Sequence, residues 1–219
     1  MTKYIISFTL ILVSLISNAQ RVRGIVGISA YLDSDYQKSA FIEVGPGLEV
    51  KINRFFKPEV GISYFIGTLE EDVNRNEQGI AIDVLAKKAS ALNFSLTPKI
   101  CLCSSEITAG NVSIQILPVY NISKVEAEGN YTLVNQSNIV NSVSKKQIMT
   151  QWQHSLGIGL GIDIVLSDKN YDSLAINLYY NGVNMGEVLT GLDHNNATYS
   201  TNDVFGFGIK YYLGFNKKW

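Results

Sequence analysis

The chain has 219 residues and a formal net charge of −1, and charged side chains make up 17% of it. This length fits one large domain or two small ones, and the near-neutral charge excludes the basic field that nucleic-acid binding requires. A mean hydropathy of +0.10 excludes a bundle of membrane-spanning helices.

The first 19 residues have the layout of a secretory signal peptide. Lys3 supplies the positive charge, residues 4–16 form an apolar run, and Ser17 and Ala19 place small side chains at positions −3 and −1 of a cut after Ala19. The alternative is an uncleaved anchor, but the run is shorter than the roughly 20 residues that a spanning helix needs. We therefore expect an exported protein whose mature domain comprises residues 20–219.

Eight stretches of the mature chain alternate apolar with small or polar residues, which is the period of a β-strand. They cover residues 22–32, 40–52, 60–66, 92–102, 112–122, 152–166, 174–180 and 205–215. Their apolar faces carry no Asp, Glu, Lys or Arg. This is typical of a surface that meets lipid, where a Lys or Arg at the midplane costs about 2–4 kcal/mol.

The gaps between these stretches alternate in length. The gaps after the second, fourth and sixth are short, whereas residues 70–89, 124–149 and 183–202 form long polar connections. Backbone groups in lipid must all be paired, so the sheet is expected to close on itself. The sequence therefore predicts an all-β fold, an eight-stranded antiparallel up-and-down transmembrane β-barrel with short periplasmic turns and long extracellular loops.

Some details refine this prediction. Ile80, Ile82, Val84 and Ala86 continue the alternation of the fourth strand, so part of the loops is expected to rise above the membrane as sheet. The first strand is expected to pair with the last.

Three prolines lie inside the predicted strands, although a closed barrel has no free edge to accommodate a missing N–H donor. Gly45-Pro46-Gly47 indicates a bulge. Pro98 and Pro118 are expected to share a local irregularity of neighbouring strands.

The two cysteines, Cys101 and Cys103, point to the same side of a strand. We interpret them as small residues at a strand end. A bond between them would have poor geometry, and a Cys-only metal site needs about four ligands.

The inward faces carry four basic and four acidic side chains. The predicted lumen polar network comprises Arg23, Glu43, Glu49, Lys51, Glu59, Lys99, Asp163 and Lys210. An eight-stranded interior is only wide enough to be filled by side chains, so we expect a stabilising core of ion pairs rather than an ion path. Gly157, Gly159 and Gly161 lie within a strand, and we interpret them as spacers on the lumen wall, not as a phosphate-binding loop.

A ring of interfacial side chains is predicted near the loop ends of the strands. This aromatic girdle comprises Tyr64, Tyr120, Trp152, His154 and Tyr180. A lipid-modifying enzyme with His154 as base is the alternative, but Ser155 would point to the opposite face. His194 is expected to be solvated. We expect no catalytic residue, no cofactor and no metal site.

Four stretches resemble the small outer-membrane β-barrel proteins of the Bacteroidetes. They are residues 18–20, 45–64, 156–167 and 206–215. In that family the last strand carries the signal read by the barrel-assembly machinery. Gly208, Tyr211 and Leu213 match its pattern in part, since Gly206 stands where a polar residue is usual. The resemblance implies an integral outer-membrane protein whose partners are outer-membrane lipid and the assembly machinery.

Together these patterns predict a non-enzymatic, monomeric protein of the bacterial outer membrane. Its role would be structural or a surface interaction through the three polar loops with an unknown ligand. The alternatives are transport of a small or apolar ligand, a lipid-modifying enzyme, and an accessory part of a secretion machine.

Overall fold

The computed structural model describes residues 21–33, 39–102, 110–134, 142–167, 170–192 and 204–214. Its elements in chain order are β1 Arg21–Asp33, β2 Ala40–Lys51, β3 Glu59–Arg75, β4 Ala81–Thr97, β5 Ile100–Cys101, β6 Val112–Leu133, β7 Val143–Val165, β8 Ser173–Tyr180, α1 Gly186–Thr190 and β9 Val204–Gly214. The predicted signal peptide, Cys103 and His194 lie outside these residues. Within them, no helix has the length and apolar character needed to cross a membrane.

The strands form one closed antiparallel ring. The sheet runs in the order β4-β3-β2-β1-β9-β8-β7-β6-β5, and β4 also pairs with β6, which closes it. The two-residue strand β5 continues β4 after a short break, so the ring has eight positions. The predicted eight-stranded antiparallel barrel is confirmed, as is the pairing of the first strand with the last.

The strand register fixes the tilt of the strands. Paired residues lead around the ring from Gly24 in β1 to Leu156 in β7. From Ile158, two residues further along β7, they lead back to Leu32, which is eight residues beyond the start. Because β7 runs opposite to β1, the step from Leu156 to Ile158 moves two residues back toward the base. The displacement around the full ring, which is the shear, is therefore two residues more than eight, that is, ten residues. Eight strands with this shear tilt by about 40° and enclose a radius of about 8 Å.

Pro98 and Pro118 lie directly opposite each other across the seam between β4 and β6. The ladder stops two residues before Pro98 and resumes two residues after it in the same register. The N–H of Lys99 donates to the carbonyl of Thr97 at 2.8 Å, closing a γ-turn around Pro98. Facing prolines confine two missing donors to one interruption, so the expected shared irregularity is confirmed.

The bulge predicted at Gly45-Pro46-Gly47 is wrong. Pairing of β2 with β3 stops at Val44 and resumes at Gly47 without an extra residue on either strand. Pro46 lacks a donor, and Gly45 has no side chain to separate its backbone from the Ile62 carbonyl. The strands therefore stay close and keep their register although two residues are unpaired.

Four neighbouring strands rise above the rest of the ring. β3, β4, β6 and β7 have 17, 17, 22 and 23 residues, whereas β1, β2, β8 and β9 have between 8 and 13. The predicted rise of the sheet through Ile82 and Val84 is confirmed. Much of the described part of the long loops expected at residues 70–89 and 124–149 is strand. In β6 the two-residue period continues there with reversed polarity, since Val125 and Ala127 are buried inside and Lys124 and Glu126 are exposed outside.

We call the end of the barrel at which β1 begins the base and the opposite end the mouth. Hydrophobic side chains project outward along each of the eight barrel strands, and polar side chains project inward at the base. Near the mouth the inside is apolar.

We expect Gly157→Ala to destabilise the barrel by about 1–3 kcal/mol, because an added Cβ would lie 2.7 Å from the Asn181 carbonyl oxygen, a backbone atom that cannot rotate away. Gly182→Ala is the matched control at the same end of β8, where the nearest atom would be 3.7 Å away. Urea unfolding of both variants measures the difference. Equal free energies of unfolding would contradict the tight approach of β7 to Asn181.

Candidate functional site in the barrel interior

Six charged side chains form one ion-pair network at the base. The network joins Arg23, Lys99, Lys210, Glu49, Glu59 and Asp163. Lys99 lies at its centre and is fully buried, with Nζ 2.7 Å from Glu49 Oε2, 3.2 Å from Glu59 Oε1 and 3.5 Å from Asp163 Oδ2. Three positive and three negative charges balance, which offsets the cost of burying them.

An aromatic ring supports the network. The guanidinium of Arg23 and the ammonium of Lys99 lie 4.5 and 4.1 Å from the centre of the Tyr212 ring. The Tyr212 hydroxyl donates to Glu59 at 2.7 Å, and Arg23 donates twice to Glu49, at 2.8 and 3.0 Å. This packing places an aromatic ring among the charges at the base, and sequence reasoning missed Tyr212 because it followed charge alone.

Two residues of the predicted network lie apart from the other six. Glu43 lies nearer the mouth, where it accepts hydrogen bonds from Tyr31, Ser63 and Asn93. Lys51 is half-buried at the last position of β2. The structure therefore divides the predicted set into a central network, a separate carboxylate and a lysine at the strand end.

The mouth is filled by the chain that follows β8. We call residues 183–192, which include α1, the cap. Met185, Val188, Leu189 and Leu192 are at most 1% exposed and belong to an apolar cluster with side chains of the surrounding strands. The prediction that residues 183–202 form a polar surface loop is wrong for residues 183–192, whose apolar side chains are spaced three and four residues apart as in a helix.

Polar contacts hold the cap to the tall side of the barrel. Gln151 and Gln153 each donate to Glu187 Oε2 at 3.0 Å, and Gln147 donates to the Gly191 carbonyl at 3.3 Å. The helix α1 packs against β6 and β7.

A cavity of about 90 Å³ lies between the network and the cap. Its wall includes Glu43, Asn93 and Asn121 on one side and Tyr31 and Tyr179 on another. Four inward-facing glycines leave this space open, namely Gly27, Gly45, Gly47 and Gly61.

On the outside, the five residues of the predicted girdle are all exposed. The ring of Tyr120 stacks on that of His154, and its hydroxyl lies 2.8 Å from His154 Nδ1. Trp152 stacks on Phe94, and Tyr180 packs against Phe205.

His154 and Ser155, the candidate pair of the enzyme alternative, differ in exposure. Ser155 Oγ is buried without a hydrogen-bond partner, whereas His154 is exposed. Within the described ranges no group of three or more His, Cys, Asp and Glu side chains has a geometry that could hold a metal ion. Cys101 is a buried free thiol.

One exposed ion pair on the tall wall contrasts with the buried network. Lys146 Nζ lies 2.8 Å from Glu128 Oε2. The hydrogen bond from Lys146 lowers the pKa of the Glu128 carboxyl below its ordinary value.

We expect Lys99→Met to cost about 3–5 kcal/mol of unfolding free energy, because it leaves Glu49, Glu59 and Asp163 with one cation too few in a buried site. The matched control is Lys146→Met, which breaks the exposed pair with Glu128 and should cost far less unfolding free energy than Lys99→Met, because solvent screens an exposed pair. Urea titration of the folded protein compares the two, and similar losses would show that the network does not stabilise the base.

No family model matches the chain, and no curated protein matches it. Solved structures with a similar fold include the Neisserial surface protein A, with 8% identity, a TM-score of 0.41, and coverage of 88% of this chain and 94% of that one. The attachment invasion locus protein Ail of Yersinia pestis has 8% identity, a TM-score of 0.41, and coverage of 89% and 96%. CarO of Acinetobacter baumannii has 9% identity, a TM-score of 0.40, and coverage of 90% and 98%. These likenesses are weak, and a Bacteroidetes origin stays a prediction.

Proposed function

We propose that the protein is an integral β-barrel of the bacterial outer membrane that has a sealed lumen and acts through the part of its wall above the membrane. The observation that carries this proposal is the outward surface. Each of the eight barrel strands presents a large apolar side chain that is between 43% and 61% exposed. Examples are Ile28, Ile42, Ile62, Leu96, Ile114, Leu160, Leu178 and Phe207.

This polarity is the reverse of that of a water-soluble barrel. The charged network at the base lies inside, while leucine, isoleucine and valine cover the outside. A continuous apolar band of this extent exceeds what soluble monomers expose, and hydrocarbon is the environment that favours it. The closed ring meets the further need of lipid, since along the height that all eight barrel strands share, each described strand pairs with a neighbour on both sides.

The predicted signal peptide and the pattern of Gly208, Tyr211 and Leu213 in β9 support export and delivery by the barrel-assembly machinery. The short connection between β2 and β3 would then face the periplasm, and the tall hairpins would face the outside. The outer face of the tall wall carries Lys124 and Glu126, both exposed, which suits contact with a polar surface ligand.

Transport of a small ligand through the lumen is the weaker candidate. The ion-pair network lies across the base and the cap lies across the mouth, which does not favour a continuous path through the lumen. We assign the protein a structural or surface-interaction role, without catalysis, as a monomer.

The membrane assignment predicts that an added charge destabilises the protein where the side chain faces hydrocarbon and has little effect on stability above the membrane. We expect Leu160→Arg to destabilise the reconstituted protein by about 2–4 kcal/mol, because Leu160 faces outward near the middle of the apolar run at residues 152–166. Ile148→Arg, on the same face of β7 but on the tall wall, should change stability by no more than about 0.5 kcal/mol. Urea unfolding in lipid vesicles measures both. Equal effects at the two positions would refute the membrane assignment.

The sealed lumen predicts the electrical behaviour of the protein. We expect no steady open-channel conductance in a planar bilayer, and none for a variant whose cap is replaced by a short glycine-serine turn, because the network still closes the base. A conducting porin in the same apparatus is the positive control. Steady current steps from the wild-type protein would favour the transport alternative.

A further inference from the structure

The cavity between the network and the cap has an uncompensated negative charge. Tyr31 donates to Glu43 Oε2 at 2.6 Å, and Ser63 and Asn93 donate to Oε1. All three donors are neutral, and no described basic side chain lies within ion-pair distance of Glu43. Glu59, the other carboxylate on this wall, is by contrast paired with Lys210 and Lys99.

The same cavity has an excess of hydrogen-bond acceptors. Asn181 lines it, and its Oδ1 is buried without a partner. Asn181 adopts a left-handed backbone conformation, with φ of 58°, just before the cap begins. The amide of Asn121 donates to the Gly182 carbonyl at 3.4 Å, which holds this segment over the cavity. A buried acceptor without a donor is a place where a ligand N–H can bind.

Two aromatic rings complete the surroundings. Tyr31 and Tyr179 both line the cavity, and their ring centres lie 6.1 Å apart. The faces of aromatic rings carry partial negative charge and attract cations. The ammonium of Lys210, which also lines the cavity, already lies 6.0 Å from the centre of the Tyr179 ring, so Tyr31 is the ring counted toward a ligand. Apolar side chains, Ile25, Val119 and Val183, form other parts of the wall. One carboxylate, one free carbonyl oxygen, the Tyr31 ring and an apolar wall are the elements that recognise an organic ammonium.

We propose that the cavity binds a small protonated amine. Its ammonium would donate to the Glu43 carboxylate and to Asn181 Oδ1, and its carbon atoms would pack against Ile25, Val119 and Val183. A water-sized group takes about 10–15 Å³ of such space, so the cavity has room for roughly six non-hydrogen atoms. This inference concerns the lumen and does not depend on the proposed role of the outer wall.

The test is a titration of the full mature protein, folded in detergent micelles, with ethylammonium chloride. Methyl and amide NMR shifts report binding, and heat-modifiable gel migration reports folding. We expect saturable shifts at Tyr31, Asn93 and Asn181 and no saturable shift with ethanol, which has the same carbon chain but no charge, or with sodium chloride at equal concentration.

Variants identify the groups that bind. Glu43→Gln keeps the size of the side chain and removes its charge, so it should weaken binding about tenfold or more. Asn181→Gly removes the free acceptor, and glycine tolerates the positive φ, so it should weaken binding about threefold to tenfold with the fold unchanged. Glu126→Gln, on the outer face of the tall wall, is the matched control and should bind like the wild-type protein.

Three outcomes would overturn the proposal. They are an absence of saturable shifts, equal response to ethanol or sodium ion, and unchanged affinity in Asn181→Gly together with any folded Glu43→Gln protein. Should Glu43→Gln fail the gel test for folding, Asn181→Gly alone decides.

Discussion

The closure of eight strands with a shear of ten residues is the constraint on which the rest of the structure depends. It sets a radius of about 8 Å, which leaves no room for a column of water wide enough to solvate many charges. Every inward charge must therefore find its partner on another strand. Lys99 reaches Glu49, Glu59 and Asp163, which come from three different strands, only because the ring holds them within one side-chain length.

The narrow ring also explains how the interior changes along its axis. Within the network near the base, three positive and three negative charges match, so charged side chains can pack there. Near the mouth the inward residues of the strands include Phe41, Phe65 and Ala89, which form an apolar cluster. An apolar segment fits there, and the cap supplies one through Met185 and Leu189.

The strands can be predicted from the sequence because one face of each strand meets apolar surroundings and the other face does not. Alternation at Ile158, Leu160 and Ile162 is plain for that reason. On the tall part of β6 the polarity of the two faces is reversed, with Val125 inside and Glu126 outside, so a search for apolar outward faces does not detect the strand there. The partners of the inward carboxylates also could not be predicted. No local sequence pattern distinguishes Glu43, which accepts from neutral donors, from Glu49, which pairs with Lys99. The helical spacing of the apolar residues in the cap is visible in the sequence, but the position of the cap inside the mouth depends on tertiary packing.

The unequal strand lengths give the barrel a sloping rim. The four long strands are neighbours, so they form a single screen on one side, and the cap leans on the inner face of that screen at β6 and β7. In the described part of the chain, β1, β2, β8 and β9 end lower and leave the opposite side open. Among the described residues the cap is therefore held from one side only, which gives the round barrel two unequal faces above the ring.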